Sequence, residues 1–450
     1  MSDDIGSGDG ADTATVGAGT APTIPMRRIF AWGLWDWGSA SFNAVATTFV
    51  FTVYLTSTKA FGGDTFVSAQ LGWTLGIAGV AVALFAPITG QRSDTGGRRK
   101  LWLAVNTYLV VIALALMFFV QAKPEYLVLG LILLAVGTVV FEFAGVNYNA
   151  MLAQVSTPRT IGKVSGIGWG MGYIGGIVLL LIVYFGFIHP DVGLFGVTSD
   201  NGLSVRVSML IAAIWFGVFA LPVLFSVPEI TPGRNAGAKR VNFIQSYVIL
   251  GRDIARLWKT SRHTVYFLIA SAIFRDGLTG VFTFGGVLAA GTFGFSASQV
   301  IIFAIAANIV AGISTVVVGS LDDRLGAKPV IITALIGLVV CGTMVFVFHA
   351  GGQTVFWTFG LALCLFVGPA QSASRSFLAR VIPPGREGEV FGLYATTGKA
   401  ATALAPSAFA LFVTIGGAQY WGILGIVLVL AVGLVLLIPV KAKQDQLASR

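Results

Sequence analysis

The chain has 450 residues, of which 56% are hydrophobic and only 10% are charged, and its mean hydropathy is +0.86. A soluble domain carries roughly 25% charged residues, so a soluble core of this size is excluded and the bilayer must be the solvent for much of the chain. The net charge of +9 is not a nucleic-acid footprint, because the basic residues sit in short stretches between apolar runs and report membrane topology instead.

Residues 1–25 are rich in Gly, Ala, Thr, Ser and Asp, which predicts a disordered tail. No basic stretch followed by an apolar one marks them as a signal peptide. Apolar runs follow at about 29–56, 70–91, 101–121, 126–150, 164–187, 206–226, 263–290, 297–319, 329–349, 354–375, 389–415 and 419–440. Each is near or above the ~20 residues a helix needs to cross the hydrocarbon layer, and none alternates as a barrel strand does. The prediction is an all-α membrane protein of twelve transmembrane helices, with both termini on one side. Arg92, Arg98, Arg99, Lys100, Arg159, Lys163, Arg324, Lys328, Arg380 and Arg386 fall on the face shared with the termini. The other face has only Lys59, Lys123 and Arg206, which puts the termini in the cytoplasm.

The longest connection divides the runs six and six: a half over 26–226, a linker over 227–262, a second half over 263–440 and a tail over 441–450. In the linker, Val241, Ile244, Val248, Ile254 and Trp258 recur at helical spacing against Lys239, Arg240, Arg252, Arg256 and Lys259. This predicts a basic amphipathic helix at the inner membrane surface, acting as a tether or as a lipid sensor. Cys341 and Cys364 lie inside apolar runs and read as packed thiols. His189, His263 and His349 have no metal-ligand spacing.

The chain repeats itself. Gly90–Lys100 (GQRSDTGGRRK) returns as Gly319–Pro329 (GSLDDRLGAKP), and Leu152–Gly172 aligns without gaps on Leu378–Gly398. Both are expected as short charged turns between apolar helices. Parallel duplication of a six-span unit is one of the repeat patterns of secondary transporters.

On these residues the chain resembles the major facilitator superfamily over about residues 27–440. The motif between spans 2 and 3 stands as Gly90, Asp94, Gly97, Arg98, Arg99 and Lys100, and its degenerate second copy as Gly319, Asp323, Arg324, Gly326 and Lys328. A narrower likeness, to the autophagy-related vacuolar amino-acid effluxer family, rests on several segments in order. These are Trp35-Asp36-Trp37-Gly38-Ser39-Ala40-Ser41-Phe42, Tyr148-Asn149-Ala150 with Val164-Ser165-Gly166, and Gly368–Ser376 followed by Phe391-Gly392-Leu393-Tyr394 and Gly398-Lys399. The resemblance implies a two-half transporter working by alternating access, with amino-acid export as its activity and the plasma membrane of a prokaryote as its setting. Its implied partners are a small-molecule substrate, a coupling proton or cation and membrane lipid, with no nucleic acid and no second chain. Span 4 lacks an arginine and the glycine-rich span 5 lacks a proline, which argues against drug–proton antiport.

Charge inside a span costs roughly 2.5–3.5 kcal/mol or more, so the residues that carry it are the candidates for function: Asp36, Glu142, Arg275, Asp276 and Lys399, with Asn43, Asn147, Asn308, Gln371 and Arg375 as polar companions. Helical rise places Asp36, Glu142, Lys399 and Arg275 about 10–18 Å in from the cytoplasmic ends. Acids of the first half would face bases of the second there. In one reading Arg275 and Lys399 hold a substrate carboxylate while Asp36 or Glu142 takes its amine or a coupling proton. In the other they are structural ion pairs. Arg275 and Asp276 point to different sides of one helix, so at most one faces the cavity. Asp94 and Asp323 would form a cytoplasmic gate with the nearby Arg and Lys. The Trp32–Trp37 run reads as an interfacial belt, part of which lines the cavity. Gly166 to Gly176 reads as a close-packing surface. No catalytic set, phosphate loop, cofactor site or metal site is visible, so an enzyme is not expected. A sugar symporter on the same fold and a non-transporting sensor are the alternatives.

Overall fold

The computed structural model describes residues 24–96, 99–156, 161–228, 243–381 and 387–441, and every regular element among them is helical. A bilayer offers the backbone no partners, so a spanning segment has to satisfy its own N–H and C=O groups. In the first half, α1 (Met26–Ala40) runs through a π-helical stretch, Ser41–Phe49, into α2 (Phe51–Ser57). Then come α3 (Asp64–Gly96), α4 (Arg99–Leu116), α5 (Leu127–Ala150), α6 (Leu152–Val155), α7 (Ile161–Val183), α8 (Leu203–Phe219) and α9 (Leu221–Ser226). The connecting helix is α10 (Phe243–Thr260). The second half holds α11 (Arg262–Gly291), α12 (Ala297–Leu325), α13 (Ala327–Val347), α14 (Gly352–Val355), α15 (Leu361–Val381), α16 (Glu387–Ala401), α17 (Leu404–Gly416) and α18 (Trp421–Leu437).

Ten helical stretches among the described residues are long and apolar enough to cross a membrane. Against the expected twelve, α18 is apolar but shorter, at 17 residues, and the α1–α2 run is interrupted by its π segment. That segment is held locally: the Asn43 carbonyl accepts hydrogen bonds from the hydroxyls of Thr47 at 2.8 Å and Thr48 at 2.7 Å.

One set of neighbours occurs twice. α1 packs on α7 and α8, as α11 packs on α16 and α18. α3 and α4 pack on α5, as α12 and α13 pack on α15. α4 packs on α8, as α13 packs on α18. The halves meet where α3 runs along α16 and α17, where α11 crosses the π segment and α2, and where α12 meets α7. The α3 seam is close because glycines face it. A Cβ on Gly79 would stand 2.7 Å from the Ala403 Cα, and one on Gly72 would stand 2.8 Å from the Ala410 Cβ. In lipid, dispersion between backbones brought this near replaces the absent hydrophobic drive.

The charged repeats are not loops. Gly90 and Asp94 belong to α3, which continues to Gly96, and Gly319, Asp323 and Arg324 belong to α12, which continues to Leu325. A helix can run on past the hydrocarbon layer, because charged residues tolerate helical dihedrals. Between α12 and α13 the chain turns at a single residue, Gly326, which adopts positive φ (88°). Gly97, Arg98 and the side chains of Asp94, Asp323 and Arg324 lie outside the described residues. Arg99 donates to the Ala150 carbonyl at 3.1 Å, tying α4 to the end of α5.

The tryptophan run differs from expectation in another way. Trp32 and Trp35 are buried and stack on the two sides of Tyr148, with centroids 4.4 Å and 4.2 Å away, so they belong to the core of the first half and neither belt nor cavity claims them. In α10, Leu257 is buried and Ile254 and Trp258 are half-buried, whereas Arg252, Arg256 and Lys259 are exposed. The helix packs on α11 and α3.

Candidate functional site

The charged residues fall into two groups: those consumed inside one half and those presented between the halves. Asp36 is in the first group. Its carboxylate accepts the Tyr148 hydroxyl at 2.9 Å, and a Cβ on Gly168 of α7 would stand 2.9 Å from its Oδ2. α1, α5 and α7 of one half therefore enclose it, and among the described residues it does not meet a base of the other half. Asp276 is also in this group. α16 ends at Ala401 and α17 starts at Leu404, and this break exposes N–H groups that a continuous helix would have paired. The Asp276 carboxylate accepts the Ala405 N–H at 2.5 Å. A carboxylate at a helix N-terminus also meets the positive end of its dipole. Asp276 is buried, so its observed work is to hold the broken helix on α11.

Glu142 and Lys399 are in the second group. They form an ion pair from α5 to α16, joining the two halves, and their side chains keep 23% and 27% of their exposure. Arg275 lies beside it. Its guanidinium sits over the Tyr394 ring, 3.9 Å from the centroid, and donates to the Tyr394 carbonyl at 3.2 Å. A Cβ on Gly398, the residue before Lys399, would stand 3.0 Å from Arg275 Nη1, so the absence of a side chain there is what admits the guanidinium. The Tyr394 hydroxyl bonds to Ser374 Oγ at 2.7 Å. Arg375, the next residue on α15, stacks across the halves on Trp169 of α7, 4.9 Å from the ring centroid, and lies within electrostatic range of Arg275, Tyr394 and Tyr173. The α5–α16 and α15–α7 contacts are equivalent under the duplication: an ion pair bridges the halves at one and a cation–π contact at the other.

The amides do not join this cluster by hydrogen bonds among the described residues. Asn147 donates to the Phe143 carbonyl at 2.9 Å and Asn308 to the Ala304 carbonyl at 2.8 Å, each within its own helix. Asn43 is exposed on the π segment, and Gln371 is half-buried.

Sequence reasoning missed four residues. Tyr148, Trp169 and Tyr394 are aromatic partners of the charges; two of them stood inside the quoted motifs but carried no charge to draw notice. Gln419, between α17 and α18, gave no signal at all. It is buried, donates to Ser68 Oγ at 2.8 Å and accepts the Thr292 hydroxyl at 2.7 Å. It thus ties α3 of one half to the end of α11 of the other, at the end of the bundle remote from Met26 and Leu437. Beside this end, a cavity of about 370 Å³ is lined by Phe49, Val53, Tyr54, Asn201 and Ile301, among others.

Residues 56–448 match the family described as vacuole effluxer Atg22 like. The chain belongs to the Atg22-like family. Within reach of this family is the MFS-type transporter YxiO of Bacillus subtilis, described as uncharacterized, which is 25% identical over 421 residues covering 92% of this chain and 95% of YxiO. Autophagy-related protein 22 of Cryptococcus neoformans var. neoformans serotype D is 26% identical over 291 residues, 61% of this chain, and the match spans only 49% of the fungal protein. In fold, a D-xylose–proton symporter superposes with a TM-score of 0.65 at 16% identity, covering 93% of this chain and 98% of the symporter. This Atg22-like chain is thus a multi-pass membrane transporter of the MFS type.

Proposed function

We propose that the protein exports an amino acid across the plasma membrane of a prokaryote by rocking one six-helix half against the other, with twelve crossings and both termini in the cytoplasm. The observation that carries this reading is the Glu142–Lys399 pair between the halves. A zwitterion can replace both of its members at once: its ammonium takes Glu142 and its carboxylate takes Lys399. Cargo binding then substitutes for a contact that otherwise holds the halves together, so the energy of opening is matched to the presence of cargo. Asp36, held by a neutral phenol and close to α7, is the group assigned to the coupling proton. The relationship to vacuolar effluxers supports the direction of transport.

The test is efflux from proteoliposomes loaded with mixed amino acids, with and without an imposed pH gradient, comparing wild type with Glu142→Gln. Gradient-dependent release lost in Glu142→Gln, with a monodisperse protein, is the expected result. If no amino acid moves in either direction, this reading is wrong.

A further inference from the structure

The charge between the halves does not balance. Among the described residues, Glu142 is matched by Lys399, Asp276 is taken up by α17 and Asp36 by Tyr148. Arg275 and Arg375 have no carboxylate partner among the described residues. Each has an aromatic ring on one face, Tyr394 for Arg275 and Trp169 for Arg375. The two lie within electrostatic range of each other, with Tyr394 interacting with both.

This is a specific kind of vacancy in charge. A guanidinium cannot shed its proton, and two of them close together in a membrane domain repel. A ring occupies the face of a guanidinium and not its N–H edge, and although Arg275 commits Nη1 to the Tyr394 carbonyl, a guanidinium has further N–H groups suited to the paired oxygens of a carboxylate. Arg275 also packs on Gly398, the residue before Lys399, which sets the two cations at neighbouring positions of the α11–α16 contact.

We propose that Arg275 and Arg375 together bind a second carboxylate of the cargo, so the transported species is an acidic amino acid and Arg375 is the residue that selects it. This rests on the exporter reading above: Glu142 and Lys399 take the α-ammonium and α-carboxylate, and the arginines take the side-chain carboxylate. A merely structural Arg375, bridging α15 to α7 through Trp169, would affect every cargo alike.

The experiment is counterflow exchange of radiolabelled glutamate and glutamine by the full-length chain in proteoliposomes, for wild type, Arg375→Gln and Arg375→Lys. Glutamate is expected to show a KM about tenfold or more below that of glutamine. Arg375→Gln raises the KM for glutamate several-fold more than that for glutamine, and Arg375→Lys keeps part of the preference. Equal KM values in wild type, or equal losses for both cargoes in Arg375→Gln, overturn the proposal. If neither exchanges while another amino acid leaves liposomes loaded with the mixed pool, the proposal fails and the exporter reading stands; if no amino acid moves at all, the exporter reading fails, and the arginine pair is judged by itself through thermal shift with succinate and butyrate. Stabilisation by succinate alone that is lost in Arg375→Gln supports the pair; no stabilisation by succinate refutes it.

Discussion

Asp276 on α11 accepts the backbone N–H of Ala405 at the first turn of α17. This bond connects a buried acid to a break in another helix, and it is the reason an intramembrane carboxylate is tolerated there. Asp276→Ala leaves that N–H unpaired in a place water does not serve, at a cost of about 1–3 kcal/mol. A lowered apparent Tm in detergent is expected, with a smaller drop for Asp276→Asn, which keeps an acceptor. Identical melting of all three proteins would remove the structural role.

Glu142 and Lys399 should couple weakly but measurably. Because both side chains are partly exposed, the interaction is screened, and a double-mutant cycle with Glu142→Gln and Lys399→Met is expected to give about 0.5–1 kcal/mol. The coupling should shrink in high salt. A coupling of zero at low salt would show that the pair does not hold the halves.

Gln419→Ala removes the hydrogen bond to Ser68 that joins the halves at the remote end, together with the Thr292 bond that holds Gln419 in place within the second half. At about 1 kcal/mol for the bond between the halves, its loss shifts the opening equilibrium about fivefold. A cysteine at Val53, buried near that end, should react with an impermeant thiol reagent correspondingly faster in the Gln419→Ala background, with Cys341 and Cys364 replaced. An unchanged labelling rate would deny Gln419 a part in gating.

Gly79→Val puts a side chain where the Ala403 backbone already lies. Overpacking of about 1–3 kcal/mol or more is expected, read as lost expression or lost transport. Gly145→Ala on α5, with nothing within 4 Å of the new Cβ, is the silent control. Equal behaviour of the two variants would mean that the α3 seam is loose.

Asp36→Asn keeps an acceptor for Tyr148 and should fold. On the coupling reading it loses gradient-driven efflux while retaining cargo exchange at zero gradient. Intact gradient-driven efflux would move the coupling site elsewhere.

Apolar run length and the repeated motifs made the helical, duplicated transporter legible, because a membrane span has to declare itself as a long apolar stretch. The positions of Asp36, Glu142, Arg275, Asp276 and Lys399 were legible for the same reason: a charge in such a stretch stands out. Their partners were not. Whether Asp36 turned toward Tyr148 or toward the other half depends on the α1–α7 crossing, which Gly168 permits and no periodicity encodes. Asp276 was unreadable until the break between α16 and α17 was seen. Gln419 sits in a connection, where polarity is ordinary and burial is invisible from sequence. The charged repeats were placed in loops because charge marks the membrane boundary, but helices do not have to stop there.

The α3–α17 seam joins glycine to alanine and serine, and its named pairs include no ionisable group. Those contacts are therefore insensitive to acidity and ionic strength, which suits the seam to the part of an axle. Displacement about an axle grows with the lever arm. Lys399 rides on α16, which touches α3, whereas Arg375 and Trp169 sit on α15 and α7, the helices that neighbour α12 on the other flank. Were the halves to swing about this seam, Arg375 and Trp169 would part over a longer arc than Lys399 and Glu142, and the aromatic bridge would release first.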